Sequence, residues 1–336
     1  MKIDAGLNAS DLAHVPEKAR RLEAQGYDGI ITAETSHDPF FPLLLAAEHT
    51  TRAELMTSIA VAFARSPMTL ANIGHDLNAY SKGRFILGLG SQIAPHITKR
   101  FSMPWSHPAA RMRELILAMR AIWKCWHEGE KLNFRGDFYA HTLMTPMFTP
   151  TDTKYGAPKV FLAAVGPMMT EVAGEAADGM IIHAFTTAKY VQEETIPAIE
   201  RGLAKAGKKR SEFQLAYPVF VVTGLDEKSW EQSRTAVTKQ IAFYGSTPAY
   251  RPVLEKHGWG ELQTELNTMS KRGEWDEMGR RITDDILEQF AVVGSPNEIP
   301  PLLKTRYGGS VDRVMATFTF ASDDARRAAL EELRAK

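Results

Sequence analysis

The chain has 336 residues, 44% of them hydrophobic, and its Lys+Arg and Asp+Glu totals are both 40. A neutral formal charge leaves no electrostatic footprint for nucleic acid or for an anionic membrane surface, so neither is expected as a partner. The single cysteine, Cys125, excludes an intramolecular disulfide and any multi-cysteine metal site.

The N-terminus enters a first strand, Ile3–Leu7, directly and without the apolar stretch of a signal peptide. No apolar run approaches the roughly 20 residues that span a bilayer, so a soluble, cytoplasmic protein is the expectation. Ser10-Asp11 can cap a helix running to about Gln25. Residues 26–34 read as a turn and second strand, ending in the polar cluster Glu34-Thr-Ser-His-Asp38. An apolar helix follows over Pro39–Thr50, then a third strand, Leu55–Phe63, and a helix over Pro67–Tyr80. Phe85–Leu89 is the fourth strand. A loop over 90–105 leads to a helix at about 109–127, which holds Cys125 in a pattern that reads as a buried thiol. Lys131–Leu143 reads as an inserted hairpin and Val160–Ala164 as strand five.

Gly166-Pro167 opens the next helix, Gly179–His183 is strand six, and a helix to about Ala206 precedes a long seventh strand, Phe213–Thr223. The helical stretch Glu227–Gln289, broken by Pro248, Pro252 and Gly258, is too long for one crossover and predicts an insertion. Asn297–Tyr307 is a helix, Val314–Phe320 the eighth strand and Asp323–Lys336 the closing helix. Eight strands alternating with helices, without linker or repeat, predict a single (β/α)8 TIM barrel over 1–336. Its insertions fall at about 90–105, 131–150 and 246–280, and a doubly wound sheet is the alternative.

Ser81-Lys-Gly-Arg-Phe-Ile-Leu-Gly-Leu-Gly-Ser-Gln-Ile-Ala-Pro-His96 is the most telling stretch. A turn feeds a short apolar run that breaks into glycine and polar residues, as a buried parallel strand does where it meets a ligand. A plain βα turn would read similarly. A dinucleotide fingerprint fails, because Ile93 stands where the third glycine belongs.

In a barrel the carboxyl ends of the strands share one pocket. Its candidate lining is Glu34 to Asp38, Ser58 to Ala62, Ser91 to His96, Ala164 to Pro167, and His183. His37, beside Glu34 and Asp38, is a candidate proton carrier, with a surface loop histidine as the plain alternative. Gly166, just before a helix, suits an anion such as a cofactor phosphate. No H-x-H or H-E-x-x-H spacing is present, so no metal is expected, and there is neither a G-x-S-x-G elbow nor a P-loop.

The Ser81–Gly90 stretch resembles the S-x-G-R-x-x-L-G-x-G signature of the bacterial luciferase-like flavin and deazaflavin enzymes. The resemblance continues in Ala24-Gln-Gly-Tyr-Asp-Gly-Ile-Ile31, Arg65-Ser-Pro67, Ala173-Gly-Glu-Ala-Ala-Asp-Gly179 and Ala291-Val-Val-Gly-Ser-Pro-Asn-Glu298. It implies a TIM barrel holding a flavin-type ring. Ser91–His96, Arg100-Phe101, Arg111-Met-Arg-Glu114 and Phe243-Tyr-Gly-Ser-Thr-Pro-Ala-Tyr-Arg251 are similar to the branch that uses coenzyme F420, a hydride-carrying 5-deazaflavin. FMN is the alternative cofactor.

By that resemblance Ser58-Ile59 is the position of a non-prolyl cis peptide supporting the ring. Ser58, Ile59, Ala60, Gly90, Ser91, Gln92 and His96 would contact the cofactor, and Ala164, Val165 and Gly166 its phosphate region. From the residues themselves, His37 and Glu34 are the candidates to move the proton, with His96 as the alternative, unless the reaction needs no such acid. Sugar-phosphate-oxidising relatives carry an acid where this chain has Gln92-Ile93, so their proton scheme and substrate do not transfer.

The expected activity is an F420-dependent oxidoreductase acting on a small organic molecule. An FMN monooxygenase fed by a partner reductase, and a non-catalytic cofactor-binding relative, are the rivals. A basic channel at Lys99, Arg100, Arg111 and Arg113 would favour the long acidic tail of F420. Phe40, Phe41, Leu43 to Leu45, Met68, Leu70 and Ile73 exceed what one barrel face requires and point to a homodimer.

Overall fold

The structure, a computed structural model, describes residues 1–316, 318 and 320–335. Its strands are β1 (Lys2–Gly6), β2 (Gly29–Thr32), β3 (Glu54–Thr57), β4 (Ala60–Val61), β5 (Phe85–Gly90), β6 (Phe134–Arg135), β7 (Ala140–His141), β8 (Lys159–Ala164), β9 (Gly179–Ile182), β10 (Gln214–Pro218), β11 (Phe220–Val222), β12 (Ala291–Val293) and β13 (Arg313–Met315). The main sheet runs β3-β2-β1-β13-β10-β9-β8-β5-β4, and β3 also pairs with β5, which returns the sheet to its start. The fold is therefore the predicted (β/α)8 barrel. The first helices are α1 (Val15–Ala24), α2 (Phe40–Glu48), α3 (Pro67–Tyr80), α4 (Pro108–Glu128) and α5 (Pro167–Ala176).

The chain clusters into two compact units. One comprises residues 5–181 and 198–214, the other 1–4, 182–197 and 215 onward. In the first, the signature residues act as frame. Ser66 caps α3, its hydroxyl accepting the Thr69 N–H at 3.2 Å, and Pro67 occupies the first turn, where a missing N–H costs nothing. The helix ends through Lys82 (φ 59°) and Gly83 (φ 84°), a left-handed pair that turns the chain into β5.

Arg84 is spent on the interior. Its guanidinium donates to the carbonyls of Ser81 (2.8 Å), Ala53 (2.7 Å), Ala47 (3.1 Å) and Thr50 (3.0 Å), pinning the exit of α2 against the start of β3. Gly88 is bare because the strands approach closely: a Cβ there would lie 1.7 Å from the Thr57 carbonyl oxygen. Thr57 Oγ1 fills the gap, donating to Gly88 O at 2.7 Å and accepting its N–H at 2.9 Å.

The same economy recurs at 173–179. Asp178 accepts from Val160 N (2.8 Å) and Arg120 Nη2 (2.9 Å), while Gly174 and Gly202 let α5 meet the helix Ile196–Ala206 backbone to backbone. The inserted hairpin appears as β6 and β7, its turn held by Glu114, which accepts the N–H groups of Asp137, Phe138 and Tyr139 at 2.6–2.9 Å.

Two strands depart from expectation. The third is broken between Thr57 and Ala60 by a cis Ser58-Ile59 peptide, at the predicted position. The seventh is not one strand. Pro218 has no N–H to continue the ladder, Val219 N donates to Met315 O at 3.1 Å, and β11 then leaves to pair with β12 in a separate two-stranded sheet.

In the second unit, residues 227–290 form the helices Glu227–Gly245, Arg251–Glu255, Gly260–Lys271, Trp275–Arg280 and Asp284–Phe290. They close over a core that includes Ile241, Leu254, Leu266, Leu287 and Phe290. Asp4 and Arg313 form a fully buried ion pair at 2.7 Å. The eighth strand is observed at Arg313–Met315; Thr317 and Thr319 of its expected span lie outside the described residues, as does Lys336 of the closing helix, seen over Asp323–Arg334. No helix among the described residues is long and apolar enough to cross a membrane.

Candidate active site at the strand-four end

β2, β3 and β5 deliver their ends to one place. Ser58 N donates to Thr32 O at 2.6 Å and Glu34 N to Ile59 O at 3.1 Å, so the residues on both sides of the cis peptide are strapped to the strand-two end. Gly90 is adjacent: a Cβ there would sit 2.9 Å from Ile59 Cγ1 and Cδ1. Ser58, Ile59, Ala60 and Gly90 are thus brought together.

Glu34 is not a free carboxylate. Its Oε2 accepts from Val61 N (2.7 Å) and Arg65 Nη1 (2.7 Å), and its Oε1 accepts from Arg65 Nη2 at 3.2 Å. Arg65 also donates to Asp38 Oδ2 at 3.1 Å and lies over the Phe40 ring. The Glu34 side chain is 6% exposed and that of Arg65 15%, so this bidentate pair is desolvated and geometrically fixed. Arg65 was visible in the sequence only as part of Arg65-Ser-Pro67, with no role attached. A buried carboxylate needs a cation, which was the available clue.

His37 is exposed beside this network, and His96 is exposed on the one-turn π-helix His96–Arg100. Gln92 adopts a left-handed conformation (φ 60°), its side-chain oxygen accepting the Ile93 N–H at 3.1 Å; Ser91 Oγ donates to Gln92 O at 3.0 Å. Ser102 (φ 55°) and His107 (φ 41°) take the same uncommon region within this loop. At strand five, Ala164 is buried and Val165 exposed. Gly166 (φ 77°), the N-cap of α5, faces open space with no side chain capping the first turn. Helix amides presented this way suit an anion.

Three of the four basic residues are taken up by other partners. Arg111 is buried, donating to Pro104 O (2.7 Å) and Tyr139 Oη (3.0 Å) with its guanidinium over the Phe63 ring. Arg113 pairs with Glu175 at 2.6 Å, and Arg100 donates to Thr35 O. Helical spacing could not reveal that these partners would claim them.

In the other unit His183 stands at the end of β9 with both ring nitrogens engaged, by Phe185 N at 3.0 Å and Tyr250 Oη at 3.0 Å, and burial lowers its pKa to about 4.

The molecule is thus a (β/α)8 barrel whose strand ends carry a cis peptide, a glycine-bared strand and an uncapped helix N-terminus. Comparison with known proteins then fixes the family. The profile described as luciferase-like monooxygenase matches residues 1–313, and the chain belongs to that family.

An uncharacterized protein of Mycobacterium tuberculosis is 55% identical over 334 residues, covering 99% of this chain and 98% of the relative. The 5,10-methylenetetrahydromethanopterin reductase of Archaeoglobus fulgidus is 30% identical over 261 residues (75% and 72% of the two chains). An F420-dependent glucose-6-phosphate dehydrogenase of Intrasporangium calvum is 26% identical over 258 residues, 71% of each chain. Among solved structures, the coenzyme F420 dependent tetrahydromethanopterin reductase of Methanopyrus kandleri superposes with a TM-score of 0.79 at 20% identity, covering 99% and 98%.

Proposed function

We propose that this chain is an oxidoreductase that uses coenzyme F420 to exchange hydride with a small organic substrate. The observation that carries the cofactor choice is that relatives named for different substrates share the name of one cofactor, F420. When bound, F420 would supply a ring that accepts or donates hydride; the chain would bind, orient and manage the proton.

The residues present fit such a group. Ser58, Ile59 and Ala60 would form the shelf beneath the ring, with the bare Gly90 beside it. Ser91, Gln92 and His96 would meet its polar edge or tail, and Ala164, Val165 and the open N-terminus at Gly166 its phosphate. His37, exposed at the strand-two end, is the proposed proton carrier. Glu34, expected as a second proton carrier, is better suited to holding Arg65, since both of its oxygens are engaged. A homodimer through α2 is proposed on Phe41 and Leu44, which are 60% and 41% exposed, whereas Phe40, Leu43 and Leu70 belong to the core.

A second reading, FMN with a monooxygenase reaction, is favoured by one observation: the dispersal of Arg111 and Arg113 onto other partners, which suits a cofactor without a long acidic tail. Titrating the purified protein with F420 and with FMN, followed by fluorescence, separates the two. Tight FMN binding without F420 affinity would overturn the first reading.

A further inference from the structure

The unit containing residues 182–197 and 215 onward holds a second polar device, independent of the Glu34 network. Nδ1 of His183 accepts the Phe185 backbone N–H at 3.0 Å, so that nitrogen carries a lone pair and the ring proton resides on Nε2. Nε2 lies 3.0 Å from Tyr250 Oη, so the imidazole donates and the phenol oxygen accepts. The phenol's own proton is thereby turned away from His183, and no acceptor for it lies among the described residues.

The surroundings are aromatic. Tyr250 stacks on His183 at 4.6 Å, Tyr244 meets the imidazole edge-on at 4.8 Å, and Phe185 lies 5.6 Å from Tyr250. The neighbouring cation is committed elsewhere: Arg251 donates to Glu255 at 2.7 Å and to Thr264 at 2.9 Å. Burial holds His183 down to about 4 and pushes Tyr250 up to about 12, so both stay neutral around pH 7.

We propose that Tyr250, aimed by His183, is a directed hydrogen-bond donor for a neutral carbonyl oxygen on an organic ligand. A neutral phenol walled by aromatic rings, with the adjacent Arg251 tied to its own partners, is matched to an uncharged acceptor on an apolar body. His183 acts as a positioning residue. Its lone pair is fixed by backbone, so the phenol has one orientation in which both hydrogen-bonding atoms are used. The ligand's role as hydride-transfer substrate rests on the F420 reading; the binding claim does not.

The test titrates the full-length protein with cyclohexanone and, as a shape-matched probe without the oxygen, methylenecyclohexane, followed by ligand-observed NMR. The expected result is that Tyr250→Phe weakens cyclohexanone about tenfold, as loss of one hydrogen bond does, and leaves methylenecyclohexane unchanged. His183→Ala should weaken cyclohexanone several-fold with the phenol still present, and His183→Gln should recover part of the loss. Failure of the wild type to bind cyclohexanone, an unaffected Tyr250→Phe, or equal losses for both probes would overturn the proposal. A parallel F420 titration keeps the two readings apart. Tyr250→Phe should retain F420 affinity, and a protein that binds cyclohexanone through Tyr250 but never binds F420 preserves this inference while the hydride-transfer reading falls.

Discussion

At the scale of single residues, Glu34 and Arg65 carry the sharpest stability prediction. Removing one member of a desolvated ion pair leaves the other charge buried and only partly paired, which typically costs about 3–5 kcal/mol. Glu34→Ala should therefore lower stability by roughly 3 kcal/mol in urea unfolding, since Asp38 still partners Arg65. The double variant with Arg65→Ala should cost less than the sum of the singles. Strict additivity would show that the pair is not a unit. His37→Ala is predicted to behave oppositely, cutting turnover at least tenfold while F420 affinity and melting temperature stay near wild type. Unchanged turnover removes His37 from the reaction.

Glycines offer an equally local contrast. Gly88→Ala drives a methyl into the Thr57 carbonyl, whereas a Cβ at Gly6 meets nothing within 4 Å. The first should prevent accumulation of folded protein and the second should be nearly silent in a thermal melt. Comparable melting temperatures for the two would contradict the strand spacing described above.

At the scale of elements, most of the barrel could be read from the chain. α3 was legible from end to end because Ser66-Pro67 and Ser81-Lys-Gly83 punctuate it. β5 and β8 were legible as apolar runs between turns. What escaped was decided by partners distant in sequence. β12 is three residues long and is a strand only because β11 turns away from the barrel to meet it. The continuous run Phe213–Thr223 gave no sign of that parting beyond Pro218. The site divides in the same way. The strand ends at Ser58 and Gly90 could be named from pattern and resemblance, whereas the capture of Glu34 by Arg65, and of Arg111 by Tyr139 and Pro104, depends on side chains meeting across the fold.

At the scale of the whole molecule, partly buried histidines set an acid limit. His183 has a folded pKa of about 4 against an ordinary value of 6.5, so the folded chain binds its proton less tightly than the unfolded chain. Its contribution is fully present above pH 6.5 and is lost as pH falls toward 4, with a slope approaching about 1.4 kcal/mol per pH unit. His127 and His141, also lowered chiefly by burial, act in the same direction. Stability measured in urea at pH 5 should thus be at least about 2 kcal/mol below that at pH 7, and His183→Gln should remove most of that difference. A flat profile in the wild type would refute this linkage. Assembly belongs to the same scale. Phe41→Glu and Leu44→Glu, both on the exposed side of α2, should halve the sedimenting mass if the proposed homodimer forms there.

Arg84 carries a consequence for how such a chain diversifies. Its five N–H donors are exhausted on the carbonyls of Ser81, Ala47, Thr50 and Ala53 and on Thr50 Oγ1, and none is left to meet a guest molecule. Within the most recognisable stretch of the sequence, Arg84 is therefore an architectural bolt. The rim at 91–107 is held by separate bonds, from Arg111 to Pro104 O and from Arg100 to Thr35 O. Chimeras that import a relative's rim onto this scaffold should keep their shape while exchanging their appetite.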